Sequence, residues 1–223
     1  MTIDLVIFDC DGVLVDSEKP TSEAIASSLT RFGYPIRSEE VLTRYRGKTL
    51  FQIEASIRTC GAELPADWHR LCEDEMYERL RTGVATSKGV PDLLQFLSDA
   101  GVRVGIASNG AAAKMRITLG PSGLWDRLGT MILSGHDTGY PKPSPYMLES
   151  LMDRAQVAPE RTMLIDDSGA GRQAADAAGC HFIGYFEHGE TGSLRDRCTH
   201  VAHSMADVEE ILRRLRSRDR GRP

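Results

Sequence analysis

The sequence predicts an α/β protein, a doubly wound parallel sheet interrupted after its first strand by a helical insertion. Three observations predict it. Short apolar runs that read as strands alternate with stretches of helical periodicity, as a parallel sheet covered by helices on both faces requires. The alternation opens with residues 3–8 and resumes beyond residue 85. Between residues 17 and 85 the pattern is helical and contains no convincing strand.

Residues 3–8 are mostly apolar, as a strand buried on both faces should be, and the run ends at an acidic cluster. In the insertion, Ile25, Leu29 and Phe32 share one helix face. Ile53 and Ile57, then Cys72, Met76 and Leu80, add apolar contacts at helical spacing that can close a small bundle. Leu93, Phe96, Leu97 and Ala100 then follow the i, i+3, i+4, i+7 spacing of a buried helical face, and Gly101 is placed to end that helix. Strands are expected at 102–107, 130–133, 162–165 and 180–185, with helices at 143–154 and 170–178, the latter stopped by Gly179. The domain division that follows is a core from 1–16 and 86–223, with 17–85 as the inserted helical unit.

The composition is that of an ordinary folded chain, 41% hydrophobic and 26% charged over 223 residues. A formal net charge of −5 leaves no global positive field to hold a nucleic-acid backbone. Six arginines lie between Arg213 and Arg222, where a solvated, frayed end is expected. Five cysteines form no CxxC pair, and an odd number cannot all pair within one chain, which suits a reduced, cytoplasmic setting. The first apolar run is too short for a signal sequence and lacks a basic leader, and no later stretch reaches membrane-span length. His200 and His203 are expected to be exposed polar residues rather than metal ligands. Cys10 is expected to be a small packed residue rather than a reactive thiol.

The residues that carry chemistry follow the strands. Asp9 and Asp11 come directly after the first, where open α/β sheets bind ligands. Two carboxylates so close repel each other unless a cation or a shared proton compensates. Asp166 and Asp167 form a second acidic pair after another apolar strand, and parallel strands bring such ends together. The result is a hard, oxygen-rich site suited to Mg2+. Ser108 and Asn109 follow a third strand, and Lys142 lies between Pro141 and Pro143. A hydroxyl and an ammonium can hold phosphoryl oxygens as charge spreads during transfer.

Taken together and in this order, these residues resemble the four motifs of the haloacid dehalogenase-like hydrolase superfamily, over residues 3 to about 185. The resemblance implies a Rossmann-like core and identifies the helical insertion as a cap. It implies that Asp9 is the nucleophile, Asp11 the general acid and base, Ser108 and Lys142 phosphate-binding catalytic residues, and Asp167 a magnesium ligand. It also implies that Asp9 and the backbone carbonyl of Asp11 complete the metal set, with Asp166 orienting from behind it. Such a carboxylate nucleophile divides hydrolysis into formation of an aspartyl phosphate and its attack by water.

Around Ser108, Asn109 and Gly110, through Lys114 and Met115, and again from Ser134 to Asp137, the chain is similar to bacterial 6-phosphogluconate phosphatases. Thr21 stands where β-phosphoglucomutase-type members carry a hinge histidine, so hydrolysis is expected before the alternative of a sugar phosphomutase. A non-catalytic phosphate-ligand-binding protein is the other alternative. Arg46, Gly47 and Lys48 belong to a segment that faces the active site in related enzymes; either they bind substrate, the two basic side chains attracting a second anionic group and Gly47 allowing close approach of the backbone, or they form a solvated basic face. The expected partner is a small phosphorylated metabolite, a sugar phosphate or sugar-acid phosphate such as 6-phosphogluconate. No nucleic acid or membrane is expected, and the chain should act as a monomer or weak dimer.

Overall fold

The structure, a computed structural model, describes residues 2–45, 48–187 and 198–220, the last four without side-chain detail. The chain divides into two compact units, Met1–Val15 with Thr86–Pro223, and Asp16–Ala85. The division places Asp16 with the inserted unit, one residue earlier than the sequence suggests.

Strand β1 (Leu5–Phe8) leads to the inserted unit, which holds α1 (Glu18–Arg31), α2 (Ser38–Tyr45), α3 (Leu50–Thr59) and α4 (Trp68–Arg81). The chain then returns through α5 (Val90–Asp99), β2 (Arg103–Ser108), α6 (Ala112–Leu119), α7 (Leu124–Leu128), β3 (Ile132–Ser134) and α8 (Gly135–Thr138). It continues with α9 (Tyr146–Ala155), β4 (Thr162–Asp166), α10 (Gly169–Ala178), β5 (His181–Tyr185), β6 (His200–Ala202) and α11 (Met205–Arg220).

In the inserted unit, the spacing read from the sequence gives a shared core. Ile25 and Leu29 of α1 meet Ile53 and Ile57 of α3 and Trp68 and Cys72 of α4. Truncating a buried Trp to Ala costs about 3–5 kcal/mol, so Trp68 is the anchor of this bundle. Its indole N–H donates to Ser28 Oγ at 3.1 Å, which satisfies the one polar atom the ring buries. Thr49 starts α3 with a capping box, its side chain and that of Gln52 each closing on the other's backbone N–H.

The sheet is parallel, in the order β3-β2-β1-β4-β5-β6. Every residue of β1 is buried, as expected for a central strand covered on both faces. Leu5, Ile7 and Leu164 share a core with Met147, Leu148 and Leu151 of α9 and Ala174 and Ala175 of α10. Register fixes what lies at the carboxyl edge. Phe8 pairs with Ile106 on one side and Ile165 on the other, so Asp9, Ala107–Ser108 and Asp166 emerge together.

Three expectations need correction. Strand β3 begins at Ile132, because Gly129–Met131 form a 3-10 turn. His200, expected to be exposed, is half-buried at the start of β6, which pairs with β5. The arginine-rich stretch is not frayed through residue 220, since α11 runs to Arg220 and buries Val208, Leu212 and Leu215. Arg213 lies over the Phe96 ring at 4.2 Å, and Arg216 donates to the Ala100 carbonyl at 3.1 Å. Long basic side chains can cover apolar surface in this way while keeping their charge in water. Gly221, Arg222 and Pro223 lie outside the described residues. Among the described residues, no helix is long and apolar enough to cross a membrane.

Candidate active site

The site grows from the register of three strands. Asp9 N–H donates to the Ile165 carbonyl at 2.9 Å, which extends the β1–β4 ladder one residue beyond the strand and sets Asp9 beside Asp166. The chain then turns sharply, with Gly12 N–H on the Val15 carbonyl and Leu14 N–H on that of Cys10. Gly12 has φ +77°, and a Cβ there would stand 2.8 Å from Asp167 Oδ2. Only glycine meets both demands, the left-handed backbone and the close approach of a carboxylate.

Lys142 is the electrostatic centre. Its Nζ donates to Asp9 Oδ1 at 2.7 Å and to Asp166 Oδ2 at 2.6 Å, and its side chain is only 3% exposed. Burial opposes the charge on Lys142, but Asp166 and Asp9 outweigh it and hold its pKa above the ordinary lysine value. Burial acts on Asp9 too, raising its pKa from 3.8 to about 7, with Lys142 opposing the rise and Asp166 adding to it.

Asp9, Asp166 and Asp167 each offer an oxygen, all within 4.8 Å of one another. Three carboxylates against one ammonium leave a formal excess of two negative charges, so the donor set suits a hard divalent cation. Asp166 is the least available of the three. Its Oδ2 accepts from Lys142, while its Oδ1 accepts from Ser168 N–H at 2.8 Å and Ser168 Oγ–H at 2.6 Å. Ser168 also caps α10 by accepting from Gly171 N–H. A Cβ on Gly171 would fall 2.1 Å from Asp166 Cγ, so this glycine makes room for the carboxylate against the helix N-terminus.

The Asp11 carboxylate takes a different direction from that cluster. Its Oδ1 accepts from Lys114 Nζ at 2.8 Å, and its Oδ2 lies 3.5 Å from the point where a Gly110 Cβ would stand. Ser108, buried at the end of β2, accepts from Gly110 N–H at 3.2 Å. Asn109, a candidate for binding substrate, holds the main chain of Lys142 with both ends of its side-chain amide.

Further ties hold the same loops. Ser134 Oγ donates to the Gly110 carbonyl at 2.7 Å, and Asp137 Oδ2 accepts from Ala112 N–H at 3.2 Å. Asp137 thus serves the N-terminus of α6, whose own cap position is Ala111 and has no capping side chain. A hydrogen bond from His136, with that from Ala112 N–H, holds the Asp137 carboxyl below its ordinary range.

Asp9, Asp11, Ser108, Asn109, Lys142, Asp166 and Asp167 therefore converge within the sheet unit. Arg46 and Gly47 lie outside the described residues. Lys48 belongs to the helical unit, its Nζ 5.5 Å from the centre of the Tyr45 ring. Lys48, Tyr45, Glu18 and Thr21 line a cavity of about 130 Å³ in that unit, and the buried Thr21 Oγ has no hydrogen-bond partner. Cys10 is buried with its Sγ 4.0 Å from Thr118 Oγ, and burial raises its thiol well above the ordinary value.

Sequence reading assigned no role to Lys114, Thr118, Ser134 or Asp137. Each acts across the loops at the carboxyl edge, and local spacing carries no record of that pairing.

Comparison with known proteins gives a consistent result. The family described as haloacid dehalogenase-like hydrolase matches residues 6–185. A 6-phosphogluconate phosphatase of Escherichia coli (strain K12) is 30% identical over 179 residues, 79% of this chain and 80% of that one. A conserved haloacid dehalogenase-like protein of unknown function from Agrobacterium tumefaciens str. C58 superposes with a TM-score of 0.82 at 31% identity, covering 96% of this chain and 99% of the other. A haloacid dehalogenase family hydrolase from Deinococcus radiodurans R1, with bound phosphate and sodium, gives a TM-score of 0.81 at 26% identity over 94% and 95% of the two chains.

Proposed function

Because the chain belongs to the haloacid dehalogenase-like hydrolase family, we propose that it is a magnesium-dependent phosphatase that acts on a small phosphorylated metabolite through a phosphorylated Asp9. The observation that carries this reading is the buried Lys142 bridging Asp9 and Asp166 inside an acidic cluster at the carboxyl edge of the sheet. A carboxylate held beside a fixed ammonium is oriented for attack, and the ammonium offsets its repulsion from an incoming phosphate.

In the first step an Asp9 oxygen bonds to phosphorus as the bond from phosphorus to the leaving oxygen breaks. Asp11 supplies the proton that the departing oxygen needs. In the second step water gives a proton to Asp11 and attacks the phosphorus, the bond to Asp9 breaks, and inorganic phosphate leaves. Ser108 and Lys142 hold the phosphoryl oxygens through both steps. Asp9, Asp167 and the Asp11 carbonyl would hold the magnesium, which supplies positive charge against the phosphoryl oxygens when bound.

The substrate class rests on the relative named as a 6-phosphogluconate phosphatase. A sugar phosphate or sugar-acid phosphate such as 6-phosphogluconate fits that description. Phosphate release from a panel of sugar and sugar-acid phosphates, with magnesium and with excess chelator, tests the reading. Turnover that chelator abolishes is expected. Silence across the panel contradicts the phosphatase assignment, and undiminished activity in chelator contradicts the metal.

A further inference from the structure

We infer that Lys114 is a positioning residue for the reaction, holding the Asp11 carboxylate in the direction from which it exchanges protons with the leaving group. The inference rests on the assignment of Asp11 as the acid and base.

Lys114 Nζ lies 2.8 Å from Asp11 Oδ1, with the lysine side chain 17% exposed and that of Asp11 29% exposed. The pair spans 103 residues of sequence, so tertiary packing brings it together. The packing is specific. Lys114 and Thr118 stand one turn apart on the same face of α6, as i and i+4 positions do. Thr118 Oγ is 4.0 Å from Cys10 Sγ, and Lys114 reaches Asp11, so one helix face reads two consecutive residues of the loop that follows β1. Met115 and Leu119 are buried and fix the rotation of the helix.

Local helix energetics do not account for this lysine. It occupies the first turn of α6, where the helix dipole disfavours a cation. Asp137 holds the N-terminus of that helix, and Ser134 holds the Gly110 carbonyl in the loop leading to it. The helix that carries Lys114 is therefore braced where a positioning role demands it.

The geometry separates the two aspartates. Lys142 draws Asp9 toward Asp166, while Lys114 draws Asp11 toward α6. Without Lys114, Asp11 loses the ion pair that draws it toward α6, and the step that depends on protonating the leaving oxygen slows.

Leaving groups that need protonation report this directly. We compare kcat/KM for phenyl phosphate, whose leaving group departs poorly without a proton, with p-nitrophenyl phosphate, whose leaving group departs readily. Lys114→Met is expected to lower kcat/KM for phenyl phosphate by on the order of tenfold and for p-nitrophenyl phosphate by no more than about threefold. Lys114→Arg should recover much of the loss, because it keeps a cation at that point. Asp11→Asn, measured alongside, should show the same selectivity more strongly. If Lys114→Met does not fold, Lys114→Gln is read in its place.

Selective loss in both the Lys114 and Asp11 variants supports the inference. Selective loss in Asp11→Asn with even loss, or none, in Lys114→Met overturns it and leaves the phosphatase reading intact. Even loss in Asp11→Asn removes the assigned role of Asp11, and the inference falls with it.

Discussion

Asn109 pairs with the main chain of Lys142 as one peptide unit pairs with another, its Nδ2 3.0 Å from the Lys142 carbonyl oxygen and its Oδ1 2.6 Å from the Lys142 N–H. The contact joins the loop after β2 to the loop that carries the buried ammonium. It gives Asn109 a task that needs no substrate.

Asn109→Ala removes both hydrogen bonds and leaves two main-chain groups of Lys142 to find other partners. A loss of about 1–3 kcal/mol in stability is expected. Activity should fall mainly in kcat, since the Lys142 ammonium loses its fixed position beside Asp9 while Ser108 still meets the phosphate. Denaturant unfolding and steady-state kinetics on the purified variant check both parts. An unchanged midpoint with a large rise in KM alone would instead make Asn109 a substrate contact.

Gly12→Ala tests how closely the acidic loop is fitted. The left-handed φ of +77° costs an L-residue about 1–2 kcal/mol, and the new Cβ would press on Asp167 Oδ2. The magnesium concentration for half-maximal rate should rise by on the order of tenfold, a loss of about 1.4 kcal/mol in binding. A magnesium titration of initial rates measures it, and an unchanged half-point would separate Asp167 from the metal.

Lys48→Ala addresses the helical unit. If the ammonium meets a second anionic group, KM for 6-phosphogluconate should rise by on the order of tenfold while p-nitrophenyl phosphate is turned over as before. Equal effects on both substrates, or no effect on either, would leave Lys48 with its Tyr45 contact alone.

Much of this was legible in the sequence where the signal is local. The apolar run ending at Phe8 and the acidic residues behind it mark the first strand end without any knowledge of the sheet. Asp166 and Asp167 are legible on the same grounds, and so is the helical unit, whose Ile25, Leu29, Ile53, Ile57 and Cys72 meet as their spacing suggests.

The rest depended on competing or long-range signals. In α11 the arginines overshadow Met205, Val208, Leu212 and Leu215, whose spacing is that of one buried helix face. Strand β6 has three residues, too short for alternation to declare it. The pairing of Lys114 with Asp11 and the clasp of Asn109 on Lys142 require the sheet register, which brings separate strand ends to one edge.

The central claim is that Asp9 carries the phosphoryl group between substrate and water. Rapid acid quenching of the magnesium-loaded enzyme during turnover of a phosphate ester, followed by proteolysis and mass spectrometry, tests it most directly. The account predicts one added phosphoryl group on the peptide containing Asp9, absent in Asp9→Asn, which should be folded and inactive. A phosphoryl group on any other residue, or Asp9→Asn turning over at a near-normal rate, would contradict it.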